Sequence, residues 1–223
     1  MITRIRKVIS YIIPITLEKC KGDVTPQLEV TIENGVYVLN TKQVNYSFGG
    51  LHKVFEYIFE KEKIEDLEIK NVLILGFGAG DVADMLLKKY KFNCSIIGVE
   101  KDPVVIKLTK KYFNIQQYNT ITLLNKGAFD FVQSCEQQFD LIVIDVFVDA
   151  KVPKIIDQES FLYNIKKLKA NSGIIFFNRP FNDEVSRKQT LAIAERMNQI
   201  IGKTTINKIK SYGFENCVLV HRY

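Results

Sequence analysis

The sequence predicts an α/β protein built on a doubly wound, Rossmann-like, mostly parallel sheet. Continuous apolar runs at residues 72–75 and 141–144 are typical of strands that are buried on both faces. Helical segments alternate with such runs, and this alternation produces right-handed crossovers into one parallel sheet. Ligands of these sheets bind outside the carboxyl ends of the strands, so we expect the functional residues directly after each run.

Composition narrows the class of protein. The chain has 223 residues, of which 47% are hydrophobic and 25% charged. This ordinary globular mixture excludes a disordered chain, a collagen and a coiled coil, and the length suits one domain with a small addition. The 31 Lys and Arg exceed the 25 Asp and Glu, giving a net charge of +6. Because the basic residues are scattered pairs near predicted helix ends, no nucleic-acid partner is expected.

Four widely spaced cysteines and two histidines predict no metal site. No apolar run approaches the roughly 20 residues of a membrane span, so no membrane partner is expected. The stretch from Arg4 to Ile15 imitates a signal peptide only faintly, because Pro14 interrupts it and no small-residue cleavage site follows. We therefore expect a surface helix or strand there, in a cytoplasmic protein.

The first 65 residues predict a small region of their own. Residues 28–40 alternate apolar and polar side chains around Asn34-Gly35, which is typical of a two-residue hairpin turn. An amphipathic helix opens after Gly49-Gly50, and a charged connector covers residues 61–70. We predict an N-terminal hairpin-and-helix region over residues 1–65 and a main domain over residues 66–223.

The main domain predicts the elements of one doubly wound sheet. Strands are expected at about 72–75, 96–100, 121–124, 141–144 and 174–177. Helices are expected at about 80–90, from 103, through 131, at 158–169 and at 183–201. Asp102 and Pro103 form a typical helix start, with Asp as N-cap and Pro at the first helical position. Residues 204–210 and 216–221 fit a terminal antiparallel hairpin.

A glycine loop follows the first of these strands. Gly76, Gly78 and Gly80 allow a sharp turn and a close approach of a ligand to the main chain, and Glu100 ends the second strand. A carboxylate there can accept hydrogen bonds from both ribose hydroxyls. The combination favours an adenosine-type cofactor over the alternative of a structural turn and a solvated Glu.

Asp81 bears on which cofactor it is. The dinucleotide fingerprint has a third glycine at this position, and a carboxylate there would repel a pyrophosphate. S-adenosylmethionine carries no phosphate and has a cationic sulfonium and ammonium. The loop therefore favours that type of ligand over NAD, although Asp81 can also be a simple helix-start residue.

Asp145 ends the fourth strand of the main domain, after four apolar residues. A carboxylate at the sheet rim can bind or deprotonate an amine nucleophile. The alternative is that Asp145 is a capping or turn aspartate. Asp149 is better interpreted as a turn residue.

Segments 71–81, 94–103, 121–132 and 139–178 resemble the class I S-adenosylmethionine-dependent transferases, and particularly the spermidine synthase (polyamine aminopropyltransferase) branch. The resemblance implies a Rossmann-like methyltransferase fold with a mostly parallel seven-stranded sheet and a C-terminal antiparallel hairpin. It implies S-adenosylmethionine, or its decarboxylated form, as cofactor, no metal, and a homodimer or tetramer. Asp145 matches the aspartate that orients and deprotonates the attacking amine.

The resemblance also assigns residues to the cofactor and the acceptor. Glu100 would hold the ribose, and the backbone N–H of Ala128 would face the adenine. The full set of cofactor-binding residues implied is Gly76, Phe77, Gly78, Gly80, Asp81, Glu100, Lys101, Gly127, Ala128 and Asp145. Gln43 and Tyr46 would lie on the acceptor side.

Three positions depart from the spermidine synthase pattern. Ala79 stands where the family has an aspartate that grips the aminopropyl amine, and Gly127 stands where it has an aspartate that reads the adenine amino group. Val148 stands where the family has a second aspartate, three residues after the catalytic one. We therefore expect a methyltransferase acting on a small-molecule acceptor, such as an amine. The alternatives are an aminopropyltransferase, a non-catalytic nucleoside- or partner-binding module, and an NAD-dependent oxidoreductase.

Overall fold

The computed structural model describes residues 4–41, 45–47, 50–148, 151–211 and 214–222. It contains a four-stranded antiparallel sheet near the N-terminus and a seven-stranded sheet that carries the rest of the chain. Within these residues, no helix is long and apolar enough to cross a bilayer.

The small sheet grows around the predicted hairpin. Its strands are β1 (Ile15–Cys20), β2 (Leu28–Glu33), β3 (Val36–Thr41) and β4 (Asn45–Ser47), paired in that order. Asn34 and Gly35 connect β2 to β3 with φ of +50° and +78°, the conformation that a two-residue hairpin turn requires. Helix α1 (Arg4–Ile9) precedes the sheet as an exposed surface helix, as the sequence predicts for this segment.

The large sheet has the order β10-β11-β9-β8-β5-β6-β7. Its strands are β5 (Asn71–Leu75), β6 (Ser95–Glu100), β7 (Ile121–Asn125), β8 (Phe139–Ile144), β9 (Lys169–Pro180), β10 (Thr204–Ser211) and β11 (Phe214–Arg222). Pairs among β5 to β9 are parallel, and β11 is antiparallel to both neighbours. This confirms the predicted fold class, the mostly parallel sheet and the C-terminal hairpin.

Helices cover both faces of the large sheet. They are α2 (Gly50–Lys61), α3 (Asp81–Asp84), α4 (Pro103–Tyr112), α5 (Ala128–Ser134), α6 (Glu159–Leu168) and α7 (Glu184–Ile200). In β5, Leu73 and Leu75 pack on the side of α5, α6 and α7, whereas Val72 and Ile74 pack on the side of α2 and α3. Burial on both faces explains why this strand is a continuous apolar run.

The N-terminal region meets the large sheet in two ways. Helix α2 buries Phe55 and Phe59 in the same apolar cluster as β5, and the Phe59 ring centroid lies 5.0 Å from that of Phe176. The small sheet packs Leu28 and its neighbours against α4 and against Ala79 of the glycine loop. The division at residue 65 stays a prediction.

Two elements differ from the sequence prediction in form. The helix expected over residues 80–90 is the short α3 followed by a π-helical segment, Met85–Lys89, in which the N–H of Tyr90 donates to the carbonyl of Met85. Strand β9 begins at Lys169, although the sequence predicts a helix up to residue 169 and a strand only from residue 174. A register shift opposite β8 absorbs the extra residues, so they stay in extended backbone.

Candidate active site

The residues that follow the central strands stand at one level of the large sheet. Leu75 of β5 pairs with Val99 of β6 on one side and with Ile144 of β8 on the other, and Ile144 pairs with Phe177 of β9. The next residue along each of these strands is Gly76, Glu100, Asp145 and Asn178, respectively. The parallel register therefore collects the loop and three polar side chains at the carboxyl edge, where sheets of this kind bind ligands.

The glycine loop needs its glycines for space and for backbone conformation. Gly76 has φ of +82°, and a Cβ there would lie 2.2 Å from the main-chain oxygen of Asp145. Gly80 has φ of +87°, and a Cβ there would lie 2.5 Å from Ile115. The Thr109 hydroxyl lies 2.8 Å from the carbonyl oxygen of Gly78 and donates to it. Side chains larger than hydrogen at Gly76 or Gly80 would thus displace the loop.

Glu100 lies beneath this loop with only 5% of its surface exposed. Its Oε2 accepts from the N–H of Gly78 at 3.1 Å, and its Oε1 accepts from the N–H of Asp102 at 2.9 Å. Burial raises the pKa of this carboxyl, although the backbone donors oppose the shift. A carboxylate offers about four acceptor sites, so both oxygens can accept further hydroxyl donors.

Asp81 begins α3 at the end of the loop and pairs with a helix of the N-terminal region. Its Oδ1 lies 2.7 Å from Nδ1 of His52 on α2, and the carboxyl is buried, with 4% of its side-chain surface exposed. The hydrogen bond from His52 to Asp81 raises the pKa of the imidazole. The pair therefore joins α2 to the loop and favours the charged ring.

Asp145 is half-buried and contacts one polar side chain of the neighbouring strand. Nδ2 of Asn178 donates to Oδ1 of Asp145 at 2.9 Å. Burial raises the pKa of Asp145 to about 7, the Asn178 hydrogen bond opposes the shift, and the negative charges of Asp81 and Glu100 add to it. A carboxyl with this pKa exchanges protons readily near neutral pH.

The remaining predicted residues take different positions. The Phe77 ring lies across Gly98, where a Cβ would be 2.2 Å from the ring. The ring therefore belongs to the core, and Phe77 contributes only its main chain to the surface of the loop. Lys101 is exposed. Gly127 and Ala128 begin α5 beside β6, and the N–H of the preceding Lys126 donates to the carbonyl of Glu100.

Only some of the residues predicted to lie near the acceptor are among the described residues. Gln43 lies outside the described residues, as does Asp149, and Tyr46 lies in β4. Val148 pairs with Lys151 in an isolated antiparallel bridge. The roles assigned to Gln43 and Tyr46 stay predictions.

Sequence reasoning missed Asn178 and the second role of Asp102. Asn178 directly follows the buried apolar run of residues 174–177, the same signal that drew attention to Asp145. Asp102 caps α4 as predicted, accepting from Val104, but it also accepts from the backbone N–H groups of residues 23–25. No local pattern signals that contact, because it joins segments far apart in the chain.

The chemistry of the site suits a cationic nucleoside. Beside His52 and Asn178 it contains three carboxyl groups, Asp81, Glu100 and Asp145, and carboxylates attract a sulfonium or ammonium group, accept from hydroxyls and repel phosphates. Within the described part of the chain, no group of three or more His, Cys, Asp or Glu side chains is placed to hold a metal ion.

Comparison with curated proteins points to two kinds of transferase. The polyamine aminopropyltransferase of Vibrio vulnificus is 29% identical over 112 residues, which cover 49% of this chain and 37% of that protein. A tRNA1(Val) (adenine(37)-N6)-methyltransferase of Haemophilus influenzae is 39% identical over 75 residues, which cover 33% of this chain and 32% of that protein. The chain thus spans about a third of the length of these curated relatives.

Solved structures and a family model extend the similarity along the chain. A probable spermidine synthase from Corynebacterium glutamicum superposes with a TM-score of 0.75 at 15% identity, covering 93% of this chain and 79% of that one. Human methyltransferase-like protein 13 in complex with SAH gives 0.61 at 16%, covering 77% and 82%. These likenesses show the fold. The model of the spermine/spermidine synthase domain matches residues 51–207, and this chain belongs to that family of transferases, the spermidine synthase-like branch of the class I S-adenosylmethionine-dependent methyltransferase superfamily.

Proposed function

We propose that this chain binds S-adenosylmethionine and transfers its methyl group to a small nucleophilic acceptor such as an amine, with Asp145 as the proton acceptor. The observation that carries the proposal is the half-buried Asp145 carboxyl at the sheet rim, with a pKa of about 7. Such a group is a competent base near neutral pH, because it is partly ionised and holds a proton once it has received one.

Glu100 and the glycine loop would hold the nucleoside part. The two Glu100 oxygens each accept one backbone N–H and keep lone pairs for the ribose hydroxyls. Gly76 and Gly80 keep the loop in its sharp turn, because both have positive φ and a Cβ at either would meet the Asp145 carbonyl or Ile115.

Two features of the site favour methyl transfer over aminopropyl transfer. Ala79 is fully buried in an apolar cluster with Leu28 and Val30 of the small sheet, so it offers no charge to an aminopropyl ammonium. Asp81 and His52 pair a carboxylate with a ring whose pKa is raised. That pair matches in kind the ammonium and the carboxylate of S-adenosylmethionine, and the decarboxylated form lacks the second group.

Bound S-adenosylmethionine would supply an electrophilic methyl carbon, whose bonding electron pair stays with sulfur when the acceptor's lone pair forms the new bond. The protein's part is to place the acceptor next to Asp145 and to take up its proton on that carboxylate. Orientation and removal of water from the nucleophile then supply most of the acceleration.

Aminopropyl transfer is the second candidate. It is favoured by the match to the spermine/spermidine synthase domain and by the similarity to a polyamine aminopropyltransferase. The same Asp145 would accept the proton of the attacking amine, so the two candidates differ in the sulfonium compound and not in the base.

Calorimetry with S-adenosylmethionine, its decarboxylated form and NADH separates these readings. We expect S-adenosylmethionine to bind at least about tenfold more tightly than the decarboxylated form. The reverse preference would refute methyl transfer in favour of the aminopropyl candidate, and binding of NADH in place of either would refute both candidates.

Asp145→Asn tests the base in a transfer assay with methyl-labelled S-adenosylmethionine and a panel of amines. Turnover should fall by about 100-fold or more while cofactor affinity changes little, because proton uptake needs the Asp145 carboxylate, whereas Asp81 and Glu100 remain to attract the cofactor. Asp140→Asn is the matched control, since Asp140 accepts from backbone N–H groups at the opposite end of β8. Equal loss of turnover in the two variants would make Asp145 a structural residue.

A further inference from the structure

Asn178 is fully buried in β9, and its side-chain amide is only half satisfied. Strand β9 is paired on both sides, with Val218 of β11 opposite Asn178, so the main chain is fixed. Nδ2 donates to Asp145, whereas Oδ1 is buried and has no hydrogen-bond partner among the described residues. A buried acceptor without a donor costs about 1–3 kcal/mol and is rare in native proteins, so this oxygen calls for a function.

We propose that Asn178 is a positioning residue whose amide follows the protonation state of Asp145: Nδ2 donates to the ionised carboxylate, and after a half-turn about χ2, Oδ1 accepts from the protonated carboxyl. The inference deepens the proposed function and rests on the role given there to Asp145 as proton acceptor.

The chemistry of the two side chains makes this exchange possible. An ionised carboxylate only accepts hydrogen bonds, whereas a protonated one also donates an O–H. The terminal torsion of Asn is broad and close to two-fold, so a half-turn exchanges Nδ2 and Oδ1 at nearly the same position. The 2.9 Å contact with Asp145 can then be a hydrogen bond in either direction.

Because Asn178 is buried, neither water nor another type of side chain could serve Asp145 in the same way. Asn178 has no exposed surface, so water cannot replace it as the partner of Asp145 on this side. A leucine could neither donate nor accept, and an aspartate could not donate in its ionised form. Both forms of Asp145 are populated near neutral pH, which is where an exchanging partner would be needed.

The proton balance is simple. The acceptor loses one proton, the Asp145 carboxylate gains it and becomes neutral, and Asn178 stays neutral throughout. The amide turns so that the new O–H has an acceptor, and it returns when Asp145 releases the proton to water after the product leaves. No oxidant or additional reactant is involved.

The wild-type protein supplies the first test. Carboxyl ¹³C NMR gives the midpoint of the Asp145 titration, and ¹H–¹⁵N spectra follow the side-chain amide of Asn178 over the same pH range. We expect the amide resonances to shift with the midpoint of Asp145, because the bonding of Nδ2 changes when the carboxyl is protonated. Amide resonances that stay constant through the Asp145 titration would overturn the proposal.

Asn178→Leu supplies the second test. It removes the donor to the carboxylate, so the Asp145 midpoint should rise by about one pH unit. Asn207→Leu is the matched control, because Asn207 is also buried in the large sheet but donates to Thr205 and Val218 and accepts from Lys61, away from the site. A midpoint that is unchanged in Asn178→Leu, or moved equally in Asn207→Leu, would refute a specific role.

Failure of this inference and failure of the proposed function remain distinguishable. If S-adenosylmethionine does not bind in calorimetry but the Asn178 amide follows Asp145, the proposed cofactor is wrong and the coupling of the two side chains stands. If the cofactor binds and the amide does not follow, only the inference fails.

Discussion

Replacing Asp102 by alanine should lower the free energy of unfolding by about 3 kcal/mol, although Asp102 lies outside the chemistry of the site. Its carboxyl is 1% exposed and accepts four backbone N–H groups. One of them is the N–H of Val104 in α4, at 2.9 Å. The other three belong to Asp23, Val24 and Thr25, at 3.3, 3.0 and 3.1 Å, and they join the N-terminal region to the main sheet.

The magnitude follows from the burial of each donor. Loss of the α4 cap should cost about 1 kcal/mol. The buried N–H of Thr25 would be left without an acceptor, at about 1–2 kcal/mol, whereas water can replace the carboxylate at the more exposed Asp23 and Val24, at about 0.5 kcal/mol each. Together these costs amount to about 3–4 kcal/mol. Because the 3.3 Å hydrogen bond from the N–H of Asp23 is long and weak, we expect the lower end, about 3 kcal/mol.

Urea unfolding followed by circular dichroism measures the effect, with Asp183→Ala as the control. Asp183 caps α7 through Ser186 in a purely local capping box, so its loss should cost about 1 kcal/mol. If Asp102→Ala costs no more than Asp183→Ala, the contacts to residues 23–25 do not stabilise the fold and the reasoning is refuted.

The stability that Asp102 contributes should also depend on pH. Desolvation tends to raise the pKa of this carboxyl, but the four backbone donors outweigh it and the net pKa is lowered. A lowered native pKa means that the stabilisation is present above the unfolded value of about 3.9 and is lost as pH falls through the folded-state pKa. The gap between wild type and Asp102→Ala should therefore shrink in acid.

Three further predictions concern the site and the histidines. Glu100→Ala should weaken binding of S-adenosylmethionine by about 1–3 kcal/mol in calorimetry, because it removes the ribose acceptor, and an unchanged affinity would exclude that role. Gly76→Ala should lower the unfolding free energy by more than about 1 kcal/mol, since φ is +82° and the new Cβ would meet the Asp145 carbonyl; a neutral effect in urea unfolding would show that the loop relaxes. NMR titration should place the pKa of His52 above and that of His221 below the ordinary value of about 6.5, because the hydrogen bond to Asp81 raises the first and burial lowers the second. The His52–Asp81 pair should therefore stabilise the fold below about pH 6.5 and less as pH rises, whereas buried His221 should destabilise the fold as pH falls below that value. The opposite order of the two pKa values would contradict both assignments.

Strand β5 and its loop show why part of the site could be predicted. Two faces of buried contacts demand an uninterrupted apolar run, and the end of that run is visible as Gly76. The same reasoning located Glu100 and Asp145, because parallel strands bring their carboxyl ends to one edge. Element type and site position were thus encoded locally, in runs of a few residues.

Phe77 shows the limit of that reasoning. The family resemblance places Phe77 among the cofactor-binding residues, and its side chain packs over Gly98 of the adjacent strand, so a contact with the cofactor stays a prediction for its main chain alone. Which way a loop side chain turns depends on the space left by a strand that is distant in sequence, and one local pattern does not record that space.

The sequence by itself determined the alternation of elements, the glycine loop, the acidic residues at the strand ends and the family they resemble, because each of these is a property of short segments with their own periodicity. Only the tertiary structure decided that Asn178 is the partner of Asp145, that His52 reaches Asp81 and that Asp102 binds the turn at residues 23–25. Those contacts depend on strand register and on the packing of α2 and the small sheet, which set the distances between residues that no local pattern relates.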